Sequence, residues 1–261
     1  MISKPLILFA AFGSISCTQK QPSLALSKPS PENYVNKSIN PYKSIAQIPL
    51  PDGFERTKYD TNSFSNWIRN IALKENKTVY LYNGNKKFNQ SAQYAIMDIS
   101  VGKKDLQQCA DAVMRLRGEY LFSEKKFESI FFKDNANSAY QFFQPYTREN
   151  FNKYLDRVFG MCGSASLSKQ LKTISMKELE VGDVFIRGGF PGHAVLVVDV
   201  AENKERQKIY LLAQSYMPAQ DIHILVNPVD EKLSPWYMVN DDDDIITPEY
   251  YFKRNELKTW Q

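Results

Sequence analysis

An α+β domain whose helix packs on an antiparallel sheet is the fold class this 261-residue sequence predicts, and three observations predict it. Apolar residues recur at helical spacing from Leu106 to Tyr120, four β-rich runs follow one another between Val184 and Val226, and no repeat breaks that order. Hydrophobic residues make up 43% and charged residues 24%, ordinary globular usage that supports a sizeable core. A net charge of +4, spread evenly, excludes a nucleic-acid-binding face. Three cysteines without a C-x-x-C exclude a disulfide-dense scaffold and the common structural zinc patterns. With only His193 and His223 available, a histidine-rich metal centre is excluded too, and no cofactor is expected.

The amino terminus predicts export. Lys4 precedes an apolar run, Pro5 to Phe12, and small residues Gly13, Ser14 and Ser16 lead to Cys17. The run is too short to span a bilayer. Residues 1–16 therefore read as a signal peptide, and small residues before a cysteine resemble a lipobox, which implies acylation of Cys17 and a membrane tether. Cleavage without a lipid is the alternative. Residues 17–47 have linker composition, centred on Ser27-Lys28-Pro29-Ser30-Pro31, and one α+β domain is expected over residues 48–261.

Within that domain, Ser63 to Leu73 predicts a short helix, with Phe64, Trp67, Ile68 and Ile71 on one face behind a Ser cap. Thr78 to Tyr82 reads as a strand entering an Asn83-Gly84 turn, with Tyr94 to Ile99 as its partner. From Asp105, a candidate cap, the helical period carries Leu106, Cys109, Val113, Leu116 and Tyr120. An aromatic middle section follows, and Tyr154 to Leu171 offers one or two helical turns. The last third supplies strands at Val184–Ile186, Ala194–Val198, Lys208–Ala213 and Ile222–Val226, spaced for antiparallel neighbours.

Cysteine attacks as a thiolate, and a helix amino terminus or a neighbouring histidine lowers its pKa. Cys109 has the first by position. His193 supplies the second, because it follows the flexible Gly188-Gly189-Phe190-Pro191-Gly192 and opens an apolar strand. Gln214, ending the next strand, is placed to orient the imidazole, a role open also to Asp199, Ser215 or Gln220. The competing readings are a buried Cys109 or a Cys109–Cys162 disulfide, a strand-capping His193, and a Gln214 that merely satisfies strand ends. His223, inside an apolar strand, reads as a satisfied sheet histidine. Asn240 to Asp244 lacks calcium-loop spacing and reads as a solvated acidic turn. Tyr216 and the pair Trp236-Tyr237 are the aromatic residues with a possible binding role.

Two resemblances add to these readings. Met176 to Phe185, followed by Gly192-His193-Ala194-Val195-Leu196-Val197-Val198, resembles the Gly-Asp strand and Gly-His strand block of NlpC-type and CHAP-type papain-like cell-wall hydrolases. That resemblance implies a papain-like core, Cys109 as nucleophile, His193 as base and Gln214 as the orienting residue. It also implies amide cleavage in peptidoglycan peptides. Gln107 to Arg117, Gly188 to Val195 and Leu211 to Gln220 resemble the recurring blocks of an uncharacterised bacterial lipoprotein family, domain of unknown function 4846. The expectation is a lipid-anchored cysteine hydrolase of the cell envelope, with cell-wall peptide or glycan as partner; the alternative is a catalytically inactive envelope lipoprotein using the same cleft for binding.

Overall fold

The computed structural model describes residues 39–241 and 244–261. The expected signal peptide, Cys17 and most of the linker lie outside the described residues. The chain is already packed at Ile39, the first described residue, ahead of the expected Ile48: Ile39 bridges Asn76, the Asn40 N–H donates to Glu75 O at 2.7 Å, and Ile45 is fully buried. Pro and Ser content disguises this segment as linker, although Ile45 and Ile48 both belong to the core.

The elements run in the order β1 (Phe54–Arg56), α1 (Phe64–Arg69), β2 (Gln93–Ile96), α2 (Cys109–Ser123), β3 (Phe131–Lys133) and β4 (Ala139–Gln141). There follow α3 (Arg148–Met161), α4 (Ser164–Gln170), β5 (Lys172–Thr173), β6 (Val184–Arg187), β7 (His193–Asn203) and β8 (Lys208–Gln214). The chain ends through β9 (His223–Leu225), β10 (Tyr237–Met238), β11 (Ile245–Ile246), β12 (Tyr251–Phe252) and β13 (Leu257–Thr259). This is the α+β class expected, with an antiparallel sheet in the order β2-β9-β8-β7-β6-β13-β5; β1 joins at β7 and β10 at β8. Among the described residues no helix is long and apolar enough to cross a membrane.

β7 is the spine of the sheet. Its first residues pair with β6, His193 opposite Arg187, and its last residues pair with β1, Phe54 opposite Asn203. Nine of its residues are buried, because α1 and α2 cover it; a strand buried this thoroughly reads as a continuous apolar run, not an alternating one. The register against β8 shifts between Val197 and Asp199. Such a bulge re-aims side chains, and Asp199, fully buried, accepts from Arg56 Nε at 2.6 Å and Arg69 Nε at 2.7 Å.

Two expected elements differ. α1 starts where predicted, with Ser63 Oγ accepting from Asn66 N–H at 3.1 Å, but it stops at Arg69, so Ile71 enters the core from a loop. The run Thr78 to Tyr82 does not pair with residues 94–99. Tyr80 bridges Lys86 and Leu81 bridges Gln220, while β2 pairs with β9. In the aromatic middle section Phe122, Phe127, Phe142, Tyr146 and Phe151 pack ring on ring beneath α3, which with α4 makes a longer helical unit than the expected one or two turns.

Candidate active site

Cys109 is the first residue of α2. The helix start is set by Asp111, whose Oδ2 accepts the Gln108 N–H at 3.0 Å; Asp105, the expected cap, does other work. Its Oδ1 accepts the Ala219 N–H at 2.7 Å and lies 3.1 Å from Gln108 Nε2, tying the loop after β8 to the mouth of α2. Ser215 Oγ reinforces this, 2.9 Å from the carbonyl oxygens of both Gln107 and Gln220. The residue sequence Gln214-Ser215-Tyr216 is thereby pinned against Cys109.

His193 opens β7 immediately after the glycine loop. Gly192 is required there by space: a Cβ would stand 2.2 Å from Ser164 Oγ and 2.6 Å from Arg187 O. The close approach lets α4 press on the loop and fixes where β7 begins.

From His193 a chain of polar contacts leads outward. Its Nε2 lies 2.9 Å from Gln214 Oε1, and Gln214 Nε2 donates to Glu249 Oε2 at 2.8 Å. Glu249 is ion-paired to Lys87 and also accepts from Asn89 Nδ2 at 3.1 Å. A carboxylate only accepts, so Glu249 fixes which end of the Gln214 amide faces it. Gln214 must therefore present oxygen to the imidazole, and His193 must carry its proton on Nε2. Nδ1 is left as the basic nitrogen. His223 completes the set: Nδ1–H donates to Asp221 O at 2.9 Å, and its Nε2 lies 3.5 Å from Gln214 Nε2. The expected satisfied sheet histidine thus also holds Gln214.

Cys109 approaches this network from the side. The backbone N–H groups of Ala110 and Ala194 act on its sulfur, and Ala194 is the residue after His193. Tyr216 bridges the gap, its ring 4.7 Å from the His193 ring and edge-on, its phenol raised in pKa by burial and then by the charges of Glu249 and Cys109. Among the described residues no hydrogen bond joins the sulfur to the imidazole. Cys109 and His193 are buried, at 9% and 2% exposure, so the site is closed.

The electrostatics differ from the lowered thiol pKa that sequence position suggests. Burial, then the Asp111 carboxylate, pushes the Cys109 thiol up to about 11, outweighing the stabilising N–H groups of Ala110 and Ala194. Burial lowers His193 to about 4 and raises Asp111 to about 8. The resting state is thiol beside neutral imidazole. Cys162, also a buried free thiol, forms no disulfide with Cys109. No group of three or more possible metal ligands occurs among the described residues; Asp241 and Asp244 of the acidic turn pair with Lys177 and Lys253, while residues 242 and 243 lie outside the described residues.

The model of the family described as Domain of unknown function (4846) matches residues 45–147 and 133–259. The chain belongs to that family. No curated protein and no solved structure matches it. In this member of Domain of unknown function (4846), Glu249 and Lys87 are the site residues that sequence reasoning misses, because Thr247-Pro248-Glu249-Tyr250 carries no motif and Lys87 lies far away in the chain. Trp236 and Tyr237 are core residues and Tyr216 alone of the three aromatic candidates reaches the site.

Proposed function

We propose that this protein is an exported, lipid-anchored cysteine hydrolase of the bacterial cell envelope, built on a papain-like core and cleaving amide bonds in peptidoglycan peptides. The observation that carries the reading is the Gln214 amide, locked by Glu249 so that His193 holds its proton on Nε2 and keeps Nδ1 free as base. A strand-capping histidine needs no such relay. The export and anchoring steps rest on the residues preceding and including Cys17.

In the proposed reaction His193 Nδ1 takes the Cys109 thiol proton as sulfur attacks the substrate carbonyl carbon. The N–H groups of Cys109 and Ala110, in the first helical turn, have no intrahelical acceptor and act on the sulfur at rest; as the sulfur attacks they turn to the developing oxyanion. His193 returns the proton to the leaving amine, and a thioester remains. Water, deprotonated by His193, then attacks the thioester, and the acid leaves as Cys109 regains its proton. A thiol pKa near 11 makes proton transfer to His193 part of the attack, with no standing ion pair. Purified peptidoglycan incubated with the full chain is expected to release new amino groups, and Cys109→Ala and His193→Ala to abolish that release. Release by Cys109→Ala at the wild-type rate overturns the reading.

A second reading, an envelope lipoprotein that binds peptide or glycan without cutting it, is favoured by one observation: Cys109 is held protonated in a closed site. It expects peptidoglycan fragments to be retained without new amino groups, equally by wild type and Cys109→Ala.

A further inference from the structure

Among the described residues Arg117 and the exposed Arg157 are the arginines without an ion pair or hydrogen bond, and of the two Arg117 is the one drawn into the fold. Arg56, Arg69, Arg115, Arg148 and Arg187 each face a carboxylate. Arg117, on α2, forms no ion pair or hydrogen bond among the described residues, although burial lowers its pKa. Its guanidinium is packed among rings instead, with Cζ 4.9 Å from the centroid of Phe64, 5.4 Å from Trp260 and 5.7 Å from Tyr120. Removing a charge from water without a counter-charge is costly. Stacking recovers part of that cost and leaves the in-plane N–H donors unused.

Arg117 lines a cavity of about 240 Å³ bounded by α2, the β3–β4 hairpin, α4 and Trp260. Lys133 and Lys169, neither of them ion-paired among the described residues, line the same cavity. Asp134, its acidic side chain, is already occupied: Oδ1 accepts from the N–H groups of Ala136 and Ser138 at 2.9 Å, and Oδ2 is 3.4 Å from Tyr140 OH. Trp260 Nε1 is buried without a partner. The cavity is therefore lined by three cationic side chains, against Asp134, which is engaged by its own turn, and the terminal residue Gln261; the unpartnered indole N–H of Trp260 is buried in its wall.

We propose that this cavity binds a small organic oxyanion, a carboxylate or phosphate compound, with the Arg117 fork as its principal contact. A planar guanidinium packed among rings is preorganised for bidentate recognition of either group. The volume falls just below the ~300–1,000 Å³ of drug-sized ligand sites, which suits a metabolite of few heavy atoms. The site is separate from the Cys109 network: none of its lining residues belongs to that network, and Arg117 lies roughly 12 Å along the α2 axis from Cys109 at 1.5 Å per residue.

Calorimetric titration of the full chain with sodium phosphate and with sodium citrate, in a low-salt chloride buffer, tests this. At least one of the two is expected to bind saturably, and Arg117→Gln to weaken it at least about tenfold, the loss of a charged hydrogen bond. Lys169→Ser, at an exposed position that the fold does not need, is expected to weaken it about two- to fivefold. Phosphate alone binding assigns a phosphate compound and citrate alone a carboxylate. Saturable heat from neither overturns the proposal. So does wild-type affinity in Lys169→Ser, which remains decisive if Arg117→Gln does not fold.

Discussion

Gln214 Nε2 donates to Glu249 Oε2 at 2.8 Å, and this one contact decides the protonation geometry of an imidazole on the other side of the amide. Replacing Glu249 by Gln substitutes a group that both donates and accepts, so the Gln214 amide keeps only the 3.5 Å contact with His223 Nε2 to oppose its turning over. His193 in the Glu249→Gln variant is then expected to populate the Nδ1–H tautomer alongside Nε2–H. Long-range nitrogen–proton NMR spectra read this directly: the wild type should show Nε2–H at His193 and Nδ1–H at His223. An unchanged His193 spectrum in the variant would mean that Glu249 does not control the tautomer.

Acid should attack the same pair. Burial lowers both His193 and His223 to about 4, whereas an unfolded histidine titrates near 6.5. As pH falls the unfolded chain takes up protons first, so their contribution to stability is complete above pH ~6.5 and is lost as pH drops through about 4. Urea midpoints are expected to fall over that window, and less steeply in His193→Gln. Equal slopes for variant and wild type would show His193 to be solvated.

Asp111 works in the opposite direction. Its folded pKa, raised by burial to about 8, means that the native state keeps a proton the unfolded state has released, so stability is complete below ~4 and is lost as pH rises through about 8. Asp111→Asn keeps an oxygen to accept the Gln108 N–H and should flatten this loss. It also removes the charge that helps hold the Cys109 thiol at about 11, so alkylation of Cys109 by iodoacetamide at pH 9 should speed up severalfold while remaining slower than that of a free thiol. No change in rate would leave burial as the whole cause.

Much of this site is legible in the chain because its members lie on strongly patterned elements. Cys109 falls on a helical stripe, while His193 and Gln214 bound two apolar runs that become neighbouring strands, and the contact between their side chains follows from antiparallel pairing of β7 with β8. The parts that are not legible are those set by distant loops. Glu249 and Lys87 meet across 162 positions of sequence, neither on a long strand or helix, and no local period marks them. The Cys109 pKa is misjudged for a related reason: a helix amino terminus shows in sequence, but the burial that outweighs it is a product of the tertiary fold.

The bulge in β7 supplies a stability test independent of the site. Val198 is the extra residue that turns Asp199 inward, where both carboxylate oxygens are taken by guanidinium groups: Oδ2 by Arg56 and Oδ1 by Arg69. Arg69 also donates to Thr57 O at 2.7 Å, which locks α1 to the strand end, and Arg56 donates to Ile48 O, which draws in the amino-terminal segment. Asp199→Asn keeps the shape but removes the charge, so Arg69, nearly buried, is left uncompensated. Breaking a buried pair this way costs about 3–5 kcal/mol, more than a hydrophobic replacement of all three groups would. Asp199→Asn is therefore expected to lower the unfolding free energy by about that amount, and the triple change Arg56→Met, Arg69→Met, Asp199→Leu by much less. Chemical denaturation of the two variants separates the cases. A loss under ~1 kcal/mol in Asp199→Asn would place the pair in the range of solvated surface bridges.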